Sequence, residues 1–284
     1  MHCSLRLLCY LLYLSFACFV DAKAYFTVID DDAKNVQSIA SVKRVADKYN
    51  IKVCFGVISG RLTNRDLIDS LLKYQSEDFQ ILNHSLFHGD MWKKPTEEDV
   101  VFEIERSEYI LDSLGFINHN YFVYPFGKYD CGVRQWMLPI VSKYFLLAFE
   151  SRGYGNDITS TNSYFISRFP LRKFDNLFCV KRVVDKAIKN NQWIVFLNHS
   201  GMERDYSEQF LDDVVGYCIE QGMTCVTVSE AYNLGICGSK NVKAKVWTWF
   251  DEIEYLLYMR VLWVAMVLFF IISFIVWKYI HLSR

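Results

Sequence analysis

Side chains that can bind a metal or transfer a proton follow several apolar, strand-like runs in this sequence. The first run ends in three consecutive aspartates, Asp30 to Asp32, and later runs are followed by His84, His88 and His199. Two histidines four residues apart on a helical turn face the same side and can bind one cation. A nearby cation also relieves the repulsion between adjacent carboxylates. The pattern therefore indicates a metal centre, with a solvated acidic turn and structural histidines as the alternatives.

The elements that must position these residues alternate between strand-like and helix-like runs. Apolar β-type runs occur at 25–30, 51–58, 79–82, 121–124, 145–149, 164–167, 193–197 and 223–228. Apolar spacing and capping residues predict helices at 36–49, 64–74, 96–114, 177–189 and 208–220, with a short helix from Ser229. This alternation predicts one α/β domain over residues 23–237, with a parallel sheet whose carboxyl edge collects the polar residues.

The overall composition narrows the class of protein. Lys and Arg total 31 against 32 Asp and Glu, so the formal net charge is -1. This balance gives no reason to expect nucleic acid as a partner. With only 4 prolines and 13 glycines, the chain is not expected to be disordered or fibrous.

The start of the chain has the pattern of a secretory signal. Within residues 1–22, Arg6 precedes an apolar run that ends in small side chains, and an uncleaved anchor is the alternative. Beyond this segment lie six cysteines: Cys54, Cys131, Cys179, Cys218, Cys225 and Cys237. They form no CxxC pair, which argues against a cysteine zinc site. Export permits disulfides, but the apolar runs around Cys54 and Cys225 suit buried free thiols equally well.

The end of the chain contains a second long apolar run. Residues 256–279 include an uncharged stretch from Val261 to Trp277, which predicts a transmembrane helix after a polar connector at 238–255. Basic residues follow this stretch, and the chain ends in a short tail at 280–284. By the positive-inside rule, we expect a single-pass membrane protein whose main domain lies on the extracytoplasmic side.

Five segments at or near the strand ends occur in a characteristic order. They are Val28–Asp32, Asn83–His88, Tyr124–Gly127, Phe196–His199 and Val226–Ala231. In this order they resemble the motifs of the polysaccharide deacetylases, carbohydrate esterase family 4, and the resemblance extends over residues 25–232. It implies a distorted (β/α) barrel of the polysaccharide deacetylase type. The family's first strand ends in Thr-Phe-Asp-Asp-Gly. When its two aspartates are matched to Asp30 and Asp31, Asp32 stands where the family has glycine.

The resemblance implies a metal centre and a general base. In the aligned register, Asp31, His84 and His88 would bind a divalent metal, usually zinc, and Asp30 would be the general base. The extra aspartate leaves a second register open, in which Asp31 is the base and Asp32 is the metal ligand.

The resemblance also implies groups that act on the substrate. His199 would protonate the leaving amine. The turn at Pro125, Phe126 and Gly127 would bind substrate, and the backbone N–H of Phe126 would stabilise the oxyanion. The expected reaction is hydrolysis of an acetamide, which needs both an activated water and an acid for the amine.

Two family features are altered in this sequence. The family often carries an arginine near the third motif that orients the base, whereas Val123 or Tyr124 stands at that place here. The acidic-Trp fourth motif is not evident, and residues 166–170 occupy its region, where Arg168 is a candidate for the lost charge.

The expected function is removal of N-acetyl groups from N-acetylhexosamine units of a cell-surface or exported polysaccharide. A catalytically inactive, carbohydrate-binding or scaffolding membrane protein is the alternative, and a small-molecule amidohydrolase is a third. Trp92, Tyr129 and Trp136 could stack on sugar rings, although each also suits an ordinary structural position. His119, in a loop before a strand, is expected at the surface.

Overall fold

The computed structural model describes residues 24–90, 94, 96–117, 119–127, 137–151, 153–202, 204–241, 253 and 261–282. The predicted signal at 1–22, most of the connector and the start of the predicted membrane helix lie outside these residues. So do Cys131, Trp92, Tyr129 and Trp136.

The described residues form a nine-stranded sheet in which nearly every pairing is parallel. The strands are β1 (Tyr25–Asp32), β2 (Cys54–Val57), β3 (Gln80–Asn83), β4 (Tyr121–Val123), β5 (Leu147–Phe149), β6 (Gly155–Asn156), β7 (Phe169–Pro170), β8 (Trp193–Asn198) and β9 (Thr224–Cys225). Their order is β5-β4-β3-β2-β1-β8-β6, with β7 beside β8 and β9 beside β1. The carboxyl ends of the central strands therefore meet at one edge, as the alternation predicted.

The segment just before β7 lies between β5 and β8, which are far apart in the strand order. Ile166 forms a parallel bridge with Phe149 of β5, and β7, a few residues later, pairs with β8. One short segment thus contacts both β5 and β8, which requires the sheet to curl towards a barrel. This agrees with the predicted distorted (β/α) barrel domain.

Helices connect the strands and cover the sheet. They are α1 (Val36–Lys48), α2 (Arg65–Ser76), α3 (Glu97–Ser113), α4 (Met137–Tyr144), α5 (Leu177–Lys189), α6 (Glu208–Glu220), α7 (Val228–Asn233) and α8 (Val261–Leu282). The side chains of Asn35, Asn64 and Thr96 accept backbone N–H bonds at the starts of α1, α2 and α3. Because each cap satisfies an orphan N–H, it fixes where its helix begins.

Strand β1 is buried on both of its faces. Phe26 and Val28 lie in a large apolar cluster with residues of the covering helices, whereas Ile29 lies in a second cluster with Trp193 and Val195. Successive side chains of a strand point to opposite faces. Asp30 therefore continues the Phe26 and Val28 face, and Asp31 continues the face of Ile29.

Two predicted strands are shorter than expected. The run at 164–167 contributes an isolated bridge at Ile166, and the run at 223–228 contributes only Thr224–Cys225. Strand β9 ends early because Thr227 is the N-cap of α7, where its hydroxyl accepts the N–H of Glu230.

Helix α8 coincides with most of the predicted transmembrane segment, and its side chains are described at 267–279. Among the described residues, no helix has both the length and the apolar character needed to cross a bilayer. The membrane span at 256–279 stays a prediction from sequence.

The described cysteines are all free thiols: Cys54, Cys179, Cys218, Cys225 and Cys237. Cys54 and Cys225 are thus unbridged, as one of the two sequence readings predicted. Burial raises the pKa of the Cys54 thiol to about 12, so this sulfur is protonated and unreactive at neutral pH.

Candidate active site

The end of β1 leaves ordinary strand geometry at its last residue. Asp32 has φ 75° and Ala33 has φ 38°, both in the left-handed region that favours glycine. A glycine at the end of the family's first motif would match this kind of backbone. Aligning that glycine with Ala33 instead of Asp32 moves the motif by one residue. The shift pairs the family's two aspartates with Asp31 and Asp32, which is the second register left open by the sequence.

The two histidines after β3 converge without forming a helical turn. Ser85 and His88 both have positive φ, at 66° and 56°, so the chain reverses tightly between His84 and His88. The two imidazole rings lie edge to face with their centres 4.7 Å apart. The predicted convergence is therefore present, although left-handed residues produce it and not the helical spacing.

Asp32 lies between these two histidines. Its Oδ1 is 3.7 Å from His84 Nε2 and 3.6 Å from His88 Nε2. His84 donates its Nδ1–H to the carbonyl of Val123 at 2.8 Å, the tautomer that leaves the lone pair on Nε2. One ligand atom from each of Asp32, His84 and His88 lies within 4.8 Å of the other two.

This group of donors fits a divalent metal. Asp32 Oδ1 and His84 Nε2 are buried and have no hydrogen-bond partner. Burial, with the charge of His84 second, lowers the pKa of His88 to about 4, so its imidazole is neutral near pH 7 and can act as a ligand. Two imidazole nitrogens and one carboxylate oxygen are ligands that zinc accepts, with further positions left for water or substrate.

Asp31 lies beside this group and is paired with a buried arginine. Arg168 Nη1 donates to Asp31 Oδ1 at 2.7 Å, and Arg168 Nε donates to the carbonyl of Glu150 at 2.6 Å. Burial raises the pKa of Asp31, but the charges of Arg168, His84 and His199 outweigh it and leave the pKa below its ordinary value. Asp31 is therefore an ionised carboxylate, and its Oδ2 lies 3.8 Å from His84 Nε2.

Asp30 faces away from the metal-ligand group and has protein partners at both oxygens. Its Oδ1 accepts from Asn198 Nδ2 at 2.6 Å and from the Ser200 N–H at 2.8 Å, and its Oδ2 accepts from Ser200 Oγ at 2.5 Å. Burial raises the pKa of Asp30 to about 7, even though these hydrogen bonds oppose the shift.

The geometry favours the second register over the aligned one. Asp30, expected as the base, is turned to the other face of β1, and Asp31, expected as a ligand, is held by Arg168. The physical reason is the alternation of side chains along a strand, because a shift of one residue exchanges the two faces. The arrangement fits the second register, with Asp31 as the base and Asp32 as the ligand.

His199 approaches the same centre from the turn after β8. Its Nε2 lies 3.9 Å from Asp31 Oδ2, and burial lowers the pKa of His199 against the opposing charges of Asp31 and Asp32. A cavity of about 430 Å³ opens over these groups. Its lining includes Asp31, His88, Phe126, Arg168, His199 and Met202.

The turn at Pro125, Phe126 and Gly127 borders this cavity. Phe126 has φ 60° and its ring packs edge to face on His88, with 4.6 Å between ring centres. Gly127 has φ 54°, and a Cβ there would meet the Ser151 side chain at 1.8 Å, so only glycine fits. Phe126 and Gly127 thus line the cavity, and both the substrate-binding role of the turn and the oxyanion role of the Phe126 N–H stay predictions.

The structure brings in residues whose roles the sequence did not define. Arg168 was expected only as a replacement charge, and the partners of Asp30, Asn198 and Ser200, were not assigned, although both flank His199 in sequence. His119, expected at the surface, is buried: its Nε2 lies 3.0 Å from Asp112 Oδ1 and its Nδ1 lies 3.1 Å from Glu108 Oε2. It lies with the acidic side chains of α3, away from the catalytic groups.

Comparisons with known proteins agree with this fold. The family model described as polysaccharide deacetylase matches residues 20–138. Among solved structures, the Xyl-CE4 domain of a multidomain xylanase from the hindgut metagenome of Trinervitermes trinervoides is 19% identical, with a TM-score of 0.53, and the match covers 80% of this chain and 97% of that one. No curated protein sequence matches this chain.

Two further solved structures are similar over most of the described domain. Peptidoglycan deacetylase PdaC from Bacillus subtilis is 16% identical with a TM-score of 0.51, covering 75% of this chain and 91% of that one. A family 4 acetyl xylan esterase from Clostridium thermocellum, solved with a cobalt ion, is 17% identical with a TM-score of 0.52, covering 74% and 91%. At these identities the structures establish the fold, and the family model extends the similarity to the sequence of residues 20–138. The resemblance recognised from the motifs is confirmed: residues 20–138 match the polysaccharide deacetylase family model, and the similar solved structures include a protein named as a family 4 acetyl xylan esterase.

Proposed function

We propose that this protein is a metal-dependent hydrolase that removes N-acetyl groups from N-acetylhexosamine units of a cell-surface or exported polysaccharide. One observation carries the proposal. Two buried, unpartnered ligand atoms, Asp32 Oδ1 and His84 Nε2, lie beside an ionised Asp31 and within reach of His199. Such an arrangement suits metal-dependent amide hydrolysis, in which one group activates water and another protonates the leaving amine.

The residues divide the work as follows. When bound by Asp32, His84 and His88, a divalent metal, zinc in this proposal, supplies Lewis acidity that activates water and polarises the amide carbonyl. Asp31, kept ionised by Arg168, accepts the proton of the attacking water. His199 donates a proton to the nitrogen of the leaving amine. In this proposal the Phe126 N–H stabilises the negative charge that develops on the carbonyl oxygen.

The proposed substrate follows from the family and from the cavity. The similar structures include a protein named as a peptidoglycan deacetylase and one named as an acetyl xylan esterase. A cavity of about 430 Å³ over Asp31 and His199 falls in the size range of small-ligand sites. It suits one acetylated sugar unit, with the rest of the chain lying outside.

We further propose that the domain is exported and anchored in a membrane by a single C-terminal helix. This part rests on sequence: the signal-like pattern at 1–22 and the uncharged run from Val261 to Trp277. Membranes from cells expressing the full chain should retain the protein after alkaline carbonate washing. Release into the wash, or protection of the domain from protease added outside the cell, would contradict the proposed anchor or its orientation.

Acetate release tests the proposed activity. The purified full chain, loaded with zinc, is incubated with N-acetylglucosamine oligomers beside the Asp31→Asn and His119→Gln variants. We expect release by the wild type and by His119→Gln, which lies outside the site, and loss in Asp31→Asn. Oligomer binding without acetate release by the zinc-loaded wild type would instead support the inactive carbohydrate-binding alternative.

A further inference from the structure

The turn that carries His199 is fastened to the sheet on both sides of that histidine. Asn198, just before it, and Ser200, just after it, both donate to the Asp30 carboxylate, at distances from 2.5 to 2.8 Å. Asn198 is also the register partner of Asp30 in the β1–β8 pairing. The buried Asp30 side chain of β1 therefore holds the turn that follows the neighbouring strand, β8.

The His199 ring itself has a looser hold. Its side chain is 29% exposed, and its Nε2 lies 3.9 Å from Asp31 Oδ2, beyond hydrogen-bond length. The position of the imidazole therefore depends on the backbone that carries it. A displacement of about 1 Å in a catalytic group can lower a rate by roughly 100-fold.

A carboxylate is the side chain that this arrangement requires. Three donors converge on Asp30: an amide NH₂, a backbone N–H and a hydroxyl. An ionised carboxylate accepts at both oxygens, whereas an asparagine would present a second NH₂ to one of these donors. Asp30→Asn therefore keeps the size of the side chain and disrupts the set of hydrogen bonds.

We propose that Asp30 is a positioning residue that holds the His199 turn in place for protonation of the leaving group. The proposal rests on the proposed hydrolase function and extends it to a residue outside the metal-ligand group. It differs from a base role because Asp30 lies on the opposite face of β1 from Asp31 and its oxygens are occupied by protein donors.

The dependence of the rate on the leaving group tests this role. An amine must be protonated as it leaves, whereas 4-nitrophenolate leaves without an acid. In the zinc-loaded full chain, we expect Asp30→Asn to lower acetate release from N-acetylglucosamine oligomers by about 100-fold. Release from 4-nitrophenyl acetate should change by less than about 3-fold, because this ester bypasses His199.

His199→Ala and Ser200→Ala are the matched variants. His199→Ala should show the same selective loss on the amide, and adding Asp30→Asn to it should cause little further loss, because both changes remove one function. Ser200→Ala keeps the backbone bond and should show a smaller loss with the same selectivity. Equal losses of Asp30→Asn on both substrates would overturn the positioning role and indicate a base or a general structural role.

Hydrogen exchange gives a readout that needs neither metal nor activity. In the metal-free full chain, the Ser200 amide should exchange at least about 10-fold faster in Asp30→Asn than in the wild type, because the protecting carboxylate is altered. An unchanged exchange rate would overturn the proposed hold on the turn. Faster exchange together with a wild type that hydrolyses neither substrate would overturn the proposed function and, with it, the catalytic purpose of the hold.

Discussion

The site has two sides, one formed with the histidines after β3 and one formed with the turn after β8. The carboxylates on these sides differ in their hydrogen-bond partners. On the β3 side, Asp32 Oδ1 and His84 Nε2 are buried, lie 3.7 Å apart and have no hydrogen-bond partner. On the β8 side, Asp30 is equally buried, and three protein donors occupy its oxygens. The Asp32 carboxylate thus suits a cation, whereas the Asp30 carboxylate, two residues earlier in the same strand, already stabilises the fold.

The difference has an energetic consequence. A buried polar group without a partner costs roughly 1–3 kcal/mol, and a charged one costs more. The β3 side therefore carries a cost that a bound cation removes, whereas the β8 side gains nothing from a cation. Substitutions on the β3 side should therefore change metal binding, and substitutions on the β8 side should change the geometry of the site.

The largest effect is expected from breaking the β3 side. His84→Ala removes a metal ligand and also the bond from Nδ1 to the Val123 carbonyl. We expect acetate release to fall by at least about 1,000-fold, because the activation of water by the metal is lost. Acetate assays and zinc analysis of the purified variant check this, with His119→Gln as the control. Full activity in a zinc-free His84→Ala protein would contradict the assignment.

The next largest effect is expected on stability, from breaking the Arg168–Asp31 ion pair. Arg168→Met leaves the Asp31 carboxylate buried without its cation, and we expect the free energy of unfolding to fall by about 3–5 kcal/mol. Urea denaturation measures this change. Adding Asp31→Asn should restore part of the loss, because the unpaired charge is removed. A double variant no more stable than Arg168→Met alone would show that the ion pair is not the cause.

Zinc titration compares the sides directly. A ligand at 100 times its Kd stabilises the folded state by about 2.7 kcal/mol. We expect thermal denaturation of the wild type and of Asp30→Asn to show this stabilisation by zinc, and Asp32→Asn to lose most of it. Loss of this stabilisation in Asp31→Asn together with its retention in Asp32→Asn would contradict the proposed register and support the aligned one, in which Asp31 is the ligand.

The smallest effect is expected at His119, outside both sides. Glu108 and Asp112 raise the pKa of His119 above its ordinary value, against the effect of burial. The stabilisation is therefore fully present below the unfolded pKa, about 6.5, and is lost as the pH rises through the folded pKa.

Because Asp112 is 71% exposed, we expect His119→Gln to cost at most about 1 kcal/mol at pH 5.5 and almost nothing at pH 8.5. Urea denaturation at the two pH values tests this. A larger cost at pH 8.5 than at pH 5.5 would contradict the assigned ion pairs.

Much of the architecture followed from local sequence signals. Helices α5 and α6 begin and end where the apolar spacing predicted, because Asn176 and Ser207 cap them and fix their first turns. The placing of His84, His88 and His199 at strand ends followed from the same alternation. The resemblance to the polysaccharide deacetylases could be recognised because the motifs combine residue type with order along the chain.

Other features depended on contacts that the sequence does not display. Arg168 reaches Asp31 only because the segment before β7 runs between β5 and β8 as the sheet curls. The burial of His119 depends likewise on the packing of its loop against the acidic side chains of α3. The Arg168–Asp31 pair joins residues 137 positions apart, so no local pattern predicts it. The His119 contacts span only 7 and 11 residues, but they depend on how the loop folds back on α3.

The three aspartates show the division most clearly. The sequence by itself determined that a strand ends in Asp30, Asp31 and Asp32 near two histidines, and hence that metal chemistry was the expected use. Only the tertiary structure decided which aspartate faces which partner, because side chains alternate along β1 and the left-handed turn at Asp32 breaks that alternation. A strand's residues can be read from its sequence, but the face that each one presents is set by what packs on either side.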